Sequence, residues 1–220
     1  MAYVNFVEKL HKSTKRDYLQ RVIEYDKADC AEVAIQFGED YWDGDRKYGY
    51  GGYRYDGRWL PVAQDMAKYY DLQPGASILD VGCGKGFLLY EFTQVVPDAK
   101  IAGVDISQYA IDNAKEEVRP DLRCASAISL PFEDKSFDFV YSINTLHNLY
   151  NYDLNQSLKE IERVGRGAKH IIIEAYRNER EKMNLMYWQL TCHTFHTPEE
   201  WEFTFKQAGY TGDYSYIAFE

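Results

Sequence analysis

The chain has 220 residues, 45% of them hydrophobic and 27% charged, which suits one domain with a decoration and is too apolar for a disordered polymer. Acidic residues number 35 against 25 basic ones, and the net charge of −10 argues against DNA, and against long RNA, as the main partner. There is no apolar run fit to span a bilayer and no signal-peptide core in the first residues. Cys30, Cys83, Cys124 and Cys192 are scattered without a CxxC, so the expectation is a reduced, cytoplasmic protein with no membrane span, working as a monomer or homodimer.

In chain order, residues Phe6 to about Phe37 read as helix-rich from their mixed three- and four-residue apolar spacing. Tyr41 to Trp59, YWDGDRKYGYGGYRYDGRW, then packs five tyrosines, two tryptophans, five glycines and three arginines into nineteen residues. The glycines break any regular element. Leu60 to Leu72 is a predicted helix, with Pro61 in its first turn.

After it strands and helices alternate. Strands are predicted at SILDVG, KIAGVD, Leu122 to Ala125, FDFVYSI, HIIIEA and Ser215 to Phe219. Helices are predicted at Gly86 to Val95, Gln108 to Glu117, Leu154 to Val164 and Pro198 to Ala208, the last with Thr197 and Glu200 as a capping box. Strict alternation implies an α/β fold with a doubly wound, mostly parallel, Rossmann-like sheet. The expected organisation is a helical cap and Tyr/Gly-rich lid over residues 1–59 and a ligand-binding α/β domain over residues 60–220.

The segment Ile78-Leu79-Asp80-Val81-Gly82-Cys83-Gly84-Lys85-Gly86 runs from a buried strand into a glycine turn and then a helix. Glycine there permits a sharp turn and close approach of a ligand. Asp105, at the end of the next strand, is placed to accept hydrogen bonds from ribose hydroxyls. The glycine spacing is G-x-G-x-G rather than the G-x-G-x-x-G of nicotinamide and flavin proteins. Asp80 beside the turn suits a positively charged ligand better than a pyrophosphate.

These residues, with AISLPFEDKSFDFV at Ala127 to Val140, resemble the class I S-adenosylmethionine-dependent methyltransferases. The resemblance implies S-adenosyl-L-methionine as cofactor and S-adenosyl-L-homocysteine as product. It implies that Asp80, Gly82, Cys83, Gly84 and Gly86 form the methionine-side turn, that Asp105 holds the ribose and that Ile106 packs on the adenine. Ser126 and Ala127 would lie beside the adenine amino group, with backbone contact expected because many relatives carry Asp where Ser126 stands. Asn144 would face the methyl donor and acceptor. Relatives usually end in an antiparallel strand pair, whereas this sequence shows one clear final strand. The sheet is therefore either seven-stranded, with Met186 to Thr194 as the extra strand, or truncated to six.

His147 and Glu174 follow predicted strands at the sheet's carboxyl end and are the candidate bases, with Tyr53 as a hydroxyl donor in the catalytic set. For His147 a packed histidine, and for Glu174 a helix-capping acid, is the competing reading. His193 and His196 lack a third metal-type ligand nearby, so no metal is expected. The Tyr/Gly stretch reads as a lid and acceptor pocket, with Tyr48, Tyr50, Tyr55, Arg46, Arg54 and Arg58 as substrate contacts, joined by Tyr176 and Arg177 after the fifth strand. An aromatic knot that only glues the cap to the domain is the alternative. The stretch also looks like that of a bacterial subgroup associated with surface glycans, which would make the acceptor a sugar or phosphate-type oxygen on a polysaccharide precursor. RNA or protein methylation and a non-catalytic cofactor-binding module stand as the other function classes.

Overall fold

The computed structural model describes residues 1–8, 10 and 17–220. Residues 9 and 11–16, part of the expected N-terminal helical region, lie outside the described residues. The cap holds α1 (Tyr18–Glu24), α2 (Lys27–Ala34) and a single turn, α3 (Glu39–Trp42). The side chains of Asp17 and Asp26 accept from the first backbone N–H groups of α1 and α2 and set their starts. The Tyr/Gly stretch follows as irregular chain and ends at α4 (Leu60–Tyr69), with Pro61 in its first turn.

The α/β part then runs β1 (Ser77–Val81), α5 (Phe87–Val95), β2 (Lys100–Asp105), α6 (Gln108–Asp112), β3 (Leu122–Cys124), β4 (Phe137–Ile143), α7 (Asn151–Val164), β5 (Gly165–Glu174), α8 (Glu179–Trp188), α9 (Pro198–Ala208) and β6 (Asp213–Ile217). Among the described residues the sheet has six strands, all parallel, in the order β3-β2-β1-β4-β5-β6. The chain reverses direction of winding between β1 and β4, and the crevice beyond their carboxyl ends is where open sheets of this kind bind ligands.

Side-chain alternation along the strands builds two apolar layers. Ile78, Phe139 and Ile172 face Val62 and Met66 of α4 and Leu89 and Phe92 of α5. Their strand neighbours Leu79, Val140 and Ile171 face Leu154 and Leu158 of α7 and Trp201 and Phe205 of α9. Both faces are covered, which is why these strands read as near-continuous apolar runs. Asp138 ties the start of β4 to β1, accepting from the Ser77 backbone at 2.9 Å and from both sides of the Arg166 guanidinium.

Six strands is the truncated form. Met186 to Thr194 supplies no strand; its first residues finish α8 and the rest is irregular. The outer edge of β6 is instead covered by the start of the chain. Tyr214 N–H donates to Ala2 O at 3.0 Å, Val4 N–H donates to Tyr214 O at 2.9 Å, and Ala2 N–H reaches Asp213 Oδ1 at 2.7 Å. An exposed strand edge is thereby blunted. Helix α6 stops five residues short of its expected end, because Lys115 N–H is taken by the Lys85 carbonyl of the glycine turn. Strand β5 begins five residues early, where Gly165 and Ala168 pair with Phe137 and Phe139 across a bulge.

Candidate active site

Gly82, Gly84 and Gly86 all hold left-handed φ, at 86°, 53° and 72°. They differ in what surrounds them. A Cβ on Gly82 would overlap the Thr145 side chain, and one on Gly84 would stand 2.8 Å from the Trp42 ring. At Gly86 it would strike Val118 and Leu122, so that glycine serves the packing of the turn rather than a ligand. Cys83 is buried, its sulfur turned toward Gly103, and it offers the crevice only backbone.

Asp80 is buried beside Tyr141, its register partner on β4. Burial pushes its carboxyl well above the usual carboxylate range, and no cationic side chain pairs with it among the described residues. Asp105 accepts from the backbone N–H groups of Gly84 and Ser107, each at 2.8 Å; burial raises its carboxyl too. Ile106 next to it is 59% exposed, an apolar face open at the crevice rim. Ala127 is half-buried nearby, and Ser126 turns its hydroxyl into its own loop, toward Ile128 N–H. Asn144, just past β4, sits at φ 55°, and its Oδ1 is buried without a hydrogen-bond partner among the described residues.

Two residues that sequence reasoning passed over fasten the lid to this turn. Lys85, inside the turn and 5% exposed, donates to both oxygens of Asp43 at 2.8 and 2.6 Å and to the Tyr53 carbonyl at 3.0 Å. Asp43 also accepts from Tyr109 Oη–H at 2.9 Å and from Tyr53 N–H at 3.1 Å. Burial raises the Asp43 carboxyl, but these bonds outweigh it and hold it below its ordinary value. Beside this latch the buried Trp42 donates to Ser107 Oγ at 2.9 Å and stacks on Tyr50, with Tyr53 against both rings.

Beyond the lid lies a cavity of about 370 Å³ at the carboxyl ends of β4 and β5. The structure brings the predicted Asn144, His147, Glu174, Tyr50, Tyr53, Arg46, Arg54 and Arg58 together in its wall, and adds Tyr41, Arg21, Trp188 and Gln189. His147 Nε2 stands 3.5 Å from Glu174 Oε2. Burial pulls the imidazole down to about 3, so it is neutral near pH ~7. Its Nδ1 has no partner among the described residues, and Gln189 Nε2 donates to Glu174 Oε1 at 2.5 Å. Burial likewise holds the Tyr53 hydroxyl well above its usual value, so Tyr53 stays a donor.

Four expected substrate contacts stand outside this wall. Tyr55 donates to Glu91 at 2.9 Å and packs on Phe87 and Tyr90. Tyr48 lies under the Lys47 ammonium, and Tyr176 under that of Lys182. Arg177 is held by Glu181 and Glu220. In each case a nearby group claims the side chain before the cavity does. Arg58 does line the cavity but is engaged on both sides by Asp56. No group of three or more His, Cys, Asp or Glu is placed to hold a metal ion among the described residues. His193 stacks on Tyr150, and His196 packs edge-on against Trp201.

A glycine turn, a buried acid awaiting a positive charge, the orphaned Asn144 amide oxygen and the exposed Ile106 face fit a cationic, adenosine-bearing ligand. Residues 79–173 match the family described as Methyltransferase domain. Demethylmenaquinone methyltransferase of Symbiobacterium thermophilum is 34% identical over 54% of this chain and 50% of its own length. Sterol 4-C-methyltransferase strm-1 of Caenorhabditis elegans is 28% identical over 58% of this chain and 40% of its own. The chain thus spans about half the length of the curated relatives it matches. A SAM-dependent methyltransferase from Aquifex aeolicus shares the fold at TM-score 0.52 and 18% identity, covering 84% of this chain and 88% of that one. A chain from the complex of the Haloferax volcanii Trm112 methyltransferase activator reaches TM-score 0.58 at 19% identity, over 89% of this chain and 77% of that one.

Residues 79–173 therefore match a methyltransferase domain, and the α/β part around them has the fold of an S-adenosylmethionine-dependent methyltransferase. Its cofactor is S-adenosyl-L-methionine. No described helix is long and apolar enough to cross a membrane.

Proposed function

We propose that this chain is a methyltransferase that methylates a small molecule held in the cavity beneath the tyrosine lid, at an oxygen of that acceptor. Bound S-adenosyl-L-methionine supplies an activated methyl on a sulfonium. In this reading Asp80 and the Gly82–Gly84 backbone face its methionine part, Asp105 its ribose and Ile106 its adenine. Asn144, at the joint between turn and cavity, orients the reacting groups through its open amide oxygen. The observation that carries the reading is the buried His147–Glu174 pair opening on that cavity.

A neutral imidazole accepts the acceptor's hydroxyl proton, and the Glu174 carboxylate, steadied by Gln189, stabilises the imidazolium that results. Tyr53 donates to the acceptor and orients it. The latched lid excludes water. An acceptor oxygen already anionic needs no such base. The relatives named above act, by their names, on a quinone and a sterol. The sugar-precursor acceptor expected from the sequence draws no support from them.

The test uses methyl-labelled S-adenosylmethionine with a host-cell extract, separated into small molecules and polymers. Label in a small molecule supports the proposal; label confined to protein or RNA overturns the acceptor class, and no label overturns the activity. With a labelled product in hand, His147→Asn should lower kcat by about 10²–10⁴-fold and leave cofactor affinity within about twofold. An unchanged kcat removes the base and leaves the anionic acceptor.

A further inference from the structure

The far wall of the cavity carries a charge opposite to that of the molecule. The chain bears −10 overall, yet Arg21, Arg46, Arg54 and Arg58 all line this one space. Among the described residues the acids of the wall are Asp56, engaged by Arg58, and Glu174, which faces His147. Arg21 and Arg46 converge on a single indole, with their guanidinium carbons 4.9 and 5.0 Å from the Trp188 ring centre. Arg21 is fixed there by a bond to the Lys47 carbonyl at 3.2 Å. Burial, and then the neighbouring Arg46 charge, pull its pKa below the usual arginine value. Two like charges held over one ring, at the wall of a cavity, are relieved by an anion.

Apolar side chains complete the space. Val7, Leu10, Ile143, Ile217 and Phe219 line it together with Trp59. Trp188 is followed directly by Gln189, which holds Glu174, so the cationic end and the His147–Glu174 end belong to the same short chamber.

We propose that the acceptor is an amphipathic anion: a flat apolar ring body bearing an oxyanion, the ring against the Trp188 and aliphatic wall and the charge on Arg21 and Arg46. This rests on the reading of the cavity as the acceptor site. It separates carboxylates and phosphate esters, which share the required chemistry, from neutral ring compounds, which lack it. Planar guanidinium groups match both oxyanions with paired hydrogen bonds.

The experiment is calorimetric titration of the full chain with three probes of one ring size: 2-naphthyl phosphate, 2-naphthoate and neutral 2-naphthol. Either anion should bind at least about tenfold more tightly than 2-naphthol, and the tighter of the two identifies the oxyanion. Raising salt from about 50 to about 500 mM should erode that preference. Arg21→Gln should lower anion affinity by about tenfold and leave 2-naphthol unchanged, whereas Arg21→Lys, which keeps the charge, should retain most of the preference. Arg46→Gln, at the other arginine over the indole, is the second variant should Arg21→Gln fail to fold, with the same loss of anion affinity expected. Equal affinity for charged and neutral probes, an unaffected Arg21→Gln, or no probe binding at millimolar concentration each overturns the inference. Titration of S-adenosylmethionine into the same sample tells the two failures apart. Cofactor binding and methyl transfer that persist without anion preference sink the acceptor class alone.

Discussion

Acid should loosen this fold through two histidines. His147 and His170 are 1% and 0% exposed, and burial pulls both imidazoles down to about 3. In the unfolded chain each titrates near about 6.5. Below that value the unfolded state binds more protons than the folded one. Each histidine therefore contributes stability that is fully present above about pH 6.5 and is lost as the pH falls toward 3. Integrated from about pH 8 to about pH 5, the loss is about 2 kcal/mol for each histidine, so about 4 kcal/mol for the pair. That is a large share of the roughly 5–15 kcal/mol that holds a typical domain folded. Asp80 and Asp105 act with the opposite sign, because their raised carboxyls bind protons more readily when folded. The clean quantity is consequently a difference between proteins. Urea unfolding followed by tryptophan fluorescence at the two pH values gives the acid-induced loss for the parent, for His147→Asn and for His170→Asn. Asparagine at 170 keeps a partner for the Tyr70 hydroxyl, which lies 2.8 Å from His170 Nδ1. Each variant should show a loss smaller by about 2 kcal/mol. Variants that lose as much stability as the parent would refute the argument, since the protons would then be entering elsewhere.

The latch should respond asymmetrically. Asp43→Asn strands a buried Lys85 ammonium and costs about 3 kcal/mol, whereas Lys85→Met leaves a carboxylate that is 27% exposed and costs nearer 1 kcal/mol; equal melting-temperature shifts would count against the arrangement. Gly82→Ala forces an L-residue to a φ of 86° and drives its Cβ into Thr145, for a loss of about 2–4 kcal/mol. Thr145→Ala in the same chain should return the steric part of that loss, and thermal unfolding that shows no recovery would disprove the contact as its cause. Trp42→Ala removes the ring over Gly84 and should speed both association and release of S-adenosylmethionine in stopped-flow fluorescence, with unchanged rates telling against a covering role.

Which parts of this were legible depended on how local the determinants are. KIAGVD and FDFVYSI form strands over their whole expected length, because each is an apolar run bounded by turn residues. The capping box of Thr197 and Glu200 starts α9 where it was expected, its two halves being only three residues apart in sequence. Asn144, His147 and Glu174 were findable because they follow strands that were themselves readable, and a parallel sheet gathers such positions at one end. Contacts between distant segments left no such trace. Asp43 and Lys85 are 42 positions apart, and neither sits in a pattern that predicts the other. Arg21 is an ordinary residue on a short helix until tertiary packing lays it over Trp188. Tyr55 stands away from the cavity for the converse reason: Glu91, invisible as a partner in a linear reading, claims it, whereas Arg177 is held by Glu181 only four residues on.

The start of the chain lies against β6, so Ala2 and Asp213 meet across 211 positions. On the ribosome, at about 5–20 residues per second, that partner emerges roughly 10–40 s after Ala2 does. Well before Asp213 follows, Lys85 and Ser107 are out and can hold Asp43 and Trp42 of the lid. The lid can therefore close on the glycine turn before the edge of β6 exists to be covered.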